Sequence, residues 1–131
     1  MCVDLVCKKI SGETDARSDP ETMAQEDPVI ICRNCHLHIT WPEFQIEVNQ
    51  GFSHTFANPQ GHVFEIGCFS TAAGCVKASA PSSEFSWFNG YVWSVGICRG
   101  CQTQLGWIFS STEGKTPARF FGLILETLIF P

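Results

Sequence analysis

Four cysteines stand in two pairs of equal spacing, Cys32-Arg-Asn-Cys35 and Cys98-Arg-Gly-Cys101, with 62 residues between the pairs. A tight turn lets both thiolates of such a pair reach one ion, and two pairs complete a tetrahedral set of four sulfurs. That set suits a structural zinc ion, because no coordination position is left open for catalysis. The ion would clamp segments far apart in sequence, so metal-binding free energy would become folding free energy. The competing readings are redox pairs or two disulfides. A redox pair wants a helix N-terminus to lower its thiol pKa, and neither pair opens a helical pattern. Asn34 and Gly100 fall where these turns often need left-handed backbone.

A second concentration of chemistry surrounds the second pair. Residues 85–109 hold Trp87, Trp93 and Trp107, three of the four tryptophans, together with the only tyrosine, Tyr91. Large rings beside a covalent anchor mean either a packed β core or an aromatic-walled pocket. The other cysteines, Cys2, Cys7, Cys68 and Cys75, read as small buried hydrophobes, with a Cys68–Cys75 disulfide open only to a secreted form. His36, His38, His54 and His62 show no ligand spacing and read as surface or hydrogen-bonded loop residues.

The elements that must position these groups read as strands. Val29-Ile30-Ile31 delivers the first pair. Glu43 to Val48 alternates with period two, which predicts a half-buried strand with Phe44, Ile46 and Val48 inward. Residues 49–61 read as loop, Val63 to Phe69 as a strand with Phe64, Ile66 and Cys68 on one face, and residues 70–83 as a long connection. Asn89-Gly90 is a hairpin signal, since both residues tolerate φ > 0. Tyr91, Trp93, Val95 and Ile97 share one face of the next strand, and Leu105, Trp107 and Phe109 one face of the strand after it. In a regular two-residue hairpin Trp87 would face away from Trp93, so a common pocket requires residues 84–88 to leave strand geometry. After Thr116-Pro117 the tail alternates as a strand, although Thr-Pro is also a helix start. The fold class expected is all-β and mostly antiparallel.

The chain of 131 residues fits one domain. Its net charge of −5 is uneven. Residues 1–28 carry Lys8, Lys9 and Arg17 against seven acids, and read as a flexible acidic leader too polar to bury surface. The nearly neutral remainder, 29–131, lacks the basic stripe that phosphates require, so nucleic acid is excluded as a partner. No apolar run approaches the roughly 20 residues of a membrane span. The start, MCVDLVCKKISGE, contains no signal-type apolar run, so a cytoplasmic, reducing compartment is expected.

Ser86-Trp87-Phe88-x-Gly90-Tyr91-x-Trp93, then C-x-x-C, then Gly106-Trp107-x-Phe109 closely resembles the cereblon-type thalidomide-binding (CULT) domain. Asn58-Pro59-x-Gly61-x-Val63-x-Glu65 looks like that family's pocket loop, and Pro117 with Phe120-x-Gly122-Leu123 also fits. The resemblance covers residues 29–131. It implies a β-tent of two antiparallel sheets pinned by zinc on Cys32, Cys35, Cys98 and Cys101. It also implies a cage of Trp87, Trp93 and Trp107, with Phe109 as a further wall, Phe64 among the lining groups and Asn58 and Pro59 on the rim. In the family a cyclic imide such as glutarimide inserts between the rings, its C=O, N–H, C=O edge met mainly by main-chain groups of Phe85, Ser86 and Trp87. Phe85 departs from the family, whose animal members have His there; main-chain recognition should tolerate the change.

Implied guests are glutarimide and thalidomide-type ligands, uracil-like rings and C-terminal cyclic imides of damaged proteins. The 28 residues before the domain hold neither a Lon-like domain nor a ubiquitin-ligase adaptor segment, which implies a stand-alone domain. Three other functions compete. B-type methionine sulfoxide reductases share the zinc-pinned tent, but Cys68 and Cys75 do not match their reactive-cysteine setting and no other catalytic arrangement stands out, so no enzyme is expected. A cage for methylated ammonium groups would use an acid, and only Glu84 is close in sequence. A Yippee-type interaction scaffold shares the paired C-x-x-C and the C-x4-Gly-Trp of Cys101 to Trp107, but the other two cage tryptophans argue against it.

Overall fold

The computed structural model describes residues 28–131. The expected leader, with Cys2 and Cys7, lies outside the described residues except for Pro28. Nine strands follow: β1 (Ile30–Cys32), β2 (His38–Thr40), β3 (Ser53–Ala57), β4 (Val63–Phe69), β5 (Cys75–Lys77), β6 (Tyr91–Cys98), β7 (Gln104–Ser111), β8 (Arg119–Ile124) and β9 (Leu128–Ile129). They form two sheets, of order β2-β1-β9 and β3-β4-β8-β7-β6-β5. All pairings are antiparallel. No α-helix occurs among the described residues, so the all-β reading holds.

The larger sheet works on both faces. One face packs on the small sheet, where Ile30, Ile39 and Leu128 meet Phe69, Ile108, Phe121 and Leu123. The opposite face carries a second apolar cluster that includes Ile66, Phe88, Phe109 and Phe120. Phe88 is fully buried there. Edge-to-face contacts surround it, to Phe56 (5.4 Å), Phe109 (4.9 Å) and Phe120 (5.0 Å), each pair adding about 0.5–1.5 kcal/mol beyond area burial. Alternation along β8 serves both faces, with Phe121 and Leu123 between the sheets and Phe120 and Ile124 on the aromatic side.

Several expectations are corrected. Residues 43–48 keep the alternation, with Phe44 and Ile46 half-buried and Val48 buried, yet form no strand. Pro42 opens a 3₁₀ turn in which Phe44 N–H donates to the Trp41 carbonyl and Gln45 N–H to that of Pro42, both at 3.0 Å. Two isolated bridges, Gln45–Phe69 and Val48–Gly51, are all the ladder that remains. The expected loop 49–61 contains β3, registered from Ser53 opposite Gly67 to Ala57 opposite Val63. The expected connection 70–83 contains β5, with Cys75 opposite Cys98. Both are edge strands, whose exposed positions dilute the apolar alternation. The tail is strand and not helix, as β8.

Leu105 does not share a face with Trp107 and Phe109. Gly96 pairs with Gly106 while Ile97 pairs with Gln104, so Leu105 is the extra residue of a β-bulge. The bulge turns it into the core between the sheets, where it is fully buried. Gly106, at φ 152°, permits this, since a Cβ there would collide with the Gly122 carbonyl.

Candidate functional site

The two cysteine pairs converge. Their four Sγ atoms lie within 4.8 Å of one another, with Cys32–Cys101 at 3.7 Å and Cys35–Cys98 at 3.5 Å. Four sulfurs about 2.3 Å from a central ion would be about 3.8 Å apart, so the residues present fit a tetrahedrally held metal.

The pairs sit in matching knuckles. His36 N–H donates to the Cys32 carbonyl (2.8 Å) and Gln102 N–H to that of Cys98 (2.9 Å); Cys32 N–H reaches Leu37 and Cys98 N–H reaches Thr103. The left-handed residues are His36 (φ 65°) and Gln102 (φ 67°), one place beyond each second cysteine, and not Asn34 or Gly100. Gly100 serves differently: its N–H points at Cys98 Sγ, 3.4 Å away. One knuckle leaves the small sheet and the other the large sheet, so the cluster joins the two.

The thiols do not ionise alike. The Thr103 hydroxyl, 3.1 Å from Cys101 Sγ, together with the Asn34 side chain, holds that thiol down to about 5. Burial pushes the Cys32 thiol up. Four thiolates this close need a cation before all can carry charge. Cys68 and Cys75 are free, buried and in separate clusters, and burial raises both thiols to about 12.

The aromatic stretch forms a cavity of about 450 Å³. Register explains half of its wall. Trp93 lies opposite Phe109 and Val95 opposite Trp107, which sets all four side chains on one face of β6 and β7. Trp87 arrives by another route. Residues 84–88 form no strand, and Phe85 takes a left-handed φ of 56°. That departure brings Trp87 to the same face, where its ring stands 4.7 Å from Trp107 at 74°.

Phe64 closes the corner at 5.3 Å from Trp107, and Phe56 stacks on the back of Trp87 at 4.9 Å. Both mobile-edged indoles are tied: Trp87 Nε1–H donates to the Ala57 carbonyl (3.2 Å) and Trp93 Nε1–H to that of Glu84 (2.8 Å). Among the described residues no main-chain partner engages the Phe85 carbonyl or the Trp87 N–H.

No family model matches the chain. Protein cereblon of Gallus gallus is 35% identical over 75 residues, 56% of this chain. That of Danio rerio is 36% identical over 75 residues, also 56% of this chain. That of Drosophila virilis is 30% identical over 107 residues, 79% of this chain. The chain carries a cereblon-type domain. It spans 17% of the length of each of these curated relatives.

Within this cereblon-type domain, Asn58, Pro59, Phe64, Phe85, Trp87, Trp93, Trp107 and Phe109 all border the one cavity. Ser86 does not: its hydroxyl turns away to the Phe88 carbonyl at 3.1 Å. The Asn58 side chain is spent inside its own loop, Oδ1 accepting the His62 N–H at 2.9 Å. Glu84, weighed from the sequence as the acid nearest the cage, borders the cavity, as do Gln60, Val95 and Gln104, which were not among the expected lining. The alternation of β6 carried a signal for Val95, whereas the loop residue Gln60 and the bulge-displaced Gln104 carried none. Of the histidines, His54 lies on β3, its Nε2 2.8 Å from the Val48 carbonyl.

Proposed function

We propose that this domain is a binding module for cyclic imides, with zinc as its structural ion. The carrying observation is the cavity walled by Trp87, Trp93, Trp107 and Phe109, with a Phe85 carbonyl and a Trp87 N–H that no main-chain group engages. A small, flat, neutral ring gains from apolar walls on its faces. Its imide edge must recover hydrogen bonds, or desolvation costs about 1–3 kcal/mol per group. A rigid backbone donor and acceptor supply these without side-chain ordering.

The chemical class of guest is a glutarimide-like or uracil-like ring, free or as the cyclic-imide end of a damaged protein. Binding needs no open metal position, in keeping with four cysteine ligands, and the module performs no chemistry on its guest. Four thiolate ligands suit zinc and a reducing, cytoplasmic setting. No helix among the described residues is long and apolar enough to cross a membrane.

The test is a titration of the purified protein with glutarimide and with N-methylglutarimide, following tryptophan fluorescence. Saturable, micromolar-range binding of the first and at least about tenfold weaker binding of the second support the reading, since methylation removes the imide donor. Equal affinity for both, or none for either, overturns it.

A further inference from the structure

Trp41 is the one tryptophan outside the aromatic stretch, and it packs with neither apolar cluster. It begins the 3₁₀ turn that Pro42 opens. Trp41 caps the turn in an extended conformation and Phe44 closes it, and both border the same cavity. Their rings stand 6.4 Å apart at 87°, forming a right-angled corner. Outside the cavity lining, the His38 ring packs on Trp41 at 6.4 Å and 84°.

Pro28 and Glu43 complete a cavity of about 390 Å³ around this corner. The turn is firmly seated. The Phe44 carbonyl accepts the Ser70 N–H at 2.8 Å, and Ile46 N–H donates to the Cys68 carbonyl at 3.0 Å.

We propose that this corner binds a methylated or quaternary ammonium group. Both rings border the cavity, and the negative face of an aromatic ring attracts a cation that comes within about 6 Å of its centre. Methyl groups spread the charge and weaken its hydration, so such a cation gives up little water on entering an apolar corner. Glu43 borders the cavity and supplies the counter-charge that favours a cation over an anion. A neutral apolar guest would meet the same rings but gain nothing from the carboxylate. The site is separate from the imide cavity and shares no residue with it.

The experiment follows the four indole N–H signals of the full chain by NMR during titration. The probes are choline, its uncharged carbon isostere dimethylbutanol, and a short peptide carrying trimethyllysine. The Trp41 signal, identified by its loss in Trp41→Phe, is expected to move saturably with both cations. The neutral isostere should bind at least about threefold more weakly, and Glu43→Gln should weaken choline about two- to fivefold. In the two variants that lack the reporter signal, choline binding is read by calorimetry: Trp41→Phe keeps an aromatic face and should retain part of it, whereas Trp41→Ala should lose it while the other three indole signals stay in place.

Tighter binding of the peptide than of choline would name modified protein as the source, and the reverse order a small metabolite; either supports the site. Equal affinity for choline and the isostere, or shifts confined to Trp87, Trp93 and Trp107, would overturn it.

Discussion

Trp93 holds Ser82 by two main-chain hydrogen bonds, each 2.8 Å, one in each direction. The same residue reaches two positions further along that segment, where its indole N–H donates to Glu84. A wall of the pocket is therefore also the fastening of the segment that carries Phe85 and Trp87. Trp93→Ala should abolish imide binding while leaving the fold intact, because the ring sits on a half-buried face. Trp93→Phe keeps a ring but drops the Glu84 bond, and should weaken binding by about three- to tenfold. Full affinity in a folded Trp93→Ala protein would show that the guest lies elsewhere.

The cysteine cluster should be a stability element. Cys32→Ser is expected to lose the metal and to lower the melting temperature by on the order of 10 °C or more, since ligation energy is folding energy. Metal content by atomic spectroscopy and a thermal melt check this together. A metal-free wild type that melts like the loaded protein would refute the clamp.

Gly106→Ala tests the bulge. A methyl group there meets the Gly122 carbonyl, and the φ of 152° disfavours any Cβ. The cost should be about 1–3 kcal/mol in denaturant unfolding, accompanied by weaker imide binding because Trp107 follows directly.

Asn58→Ala should have a milder, purely local effect. The side chain closes its own loop through His62, so the rim loosens and the dissociation constant rises about two- to fivefold. Asn58→Asp retains the acceptor oxygen and should behave like the wild type. A loss as complete as that of Trp93→Ala would instead give Asn58 a direct bond to the guest.

Alkaline pH should destabilise the domain through Cys68 and Cys75. Their thiols titrate at about 12 in the fold, against 9.0 ordinarily. The unfolded chain therefore ionises first, so the stabilisation is complete below pH 9 and is lost as pH rises toward 12. Urea midpoints measured across that window should fall more steeply for the wild type than for a Cys68→Ala/Cys75→Ala variant. Parallel slopes would clear the two thiols.

The legible parts of the sequence were those where local rules decide. The two C-x-x-C pairs announced their convergence, and alternation grouped Trp93 with Val95 on one strand and Trp107 with Phe109 on the next; their sharing one face comes from the register. Leu105 was misread because a bulge breaks the period-two rule without a sequence mark other than Gly106. Trp87 could not be placed by alternation, since Phe85 adopts a left-handed conformation that nothing in a phenylalanine foretells. β3 and β5 were lost for a different reason: as edge strands, half solvated, they need no apolar run. Between Glu43 and Val48 the burial pattern was right and the backbone wrong, because Pro42 supplies a turn where a ladder was expected.

β6 begins near one site and ends in the other. Trp93 and Cys98 are five residues apart on a single strand, about 17 Å of rigid beam. Cys98 is held by the β5–β6 ladder and by its hydrogen bond to Thr103, and an ion on the four thiols would brace the same end of β6. If the proposed imide favours the ordered strand, it would tighten the proposed metal, and the metal would tighten the imide by the same factor. A chelator and a guest would thus oppose each other without ever sharing an atom.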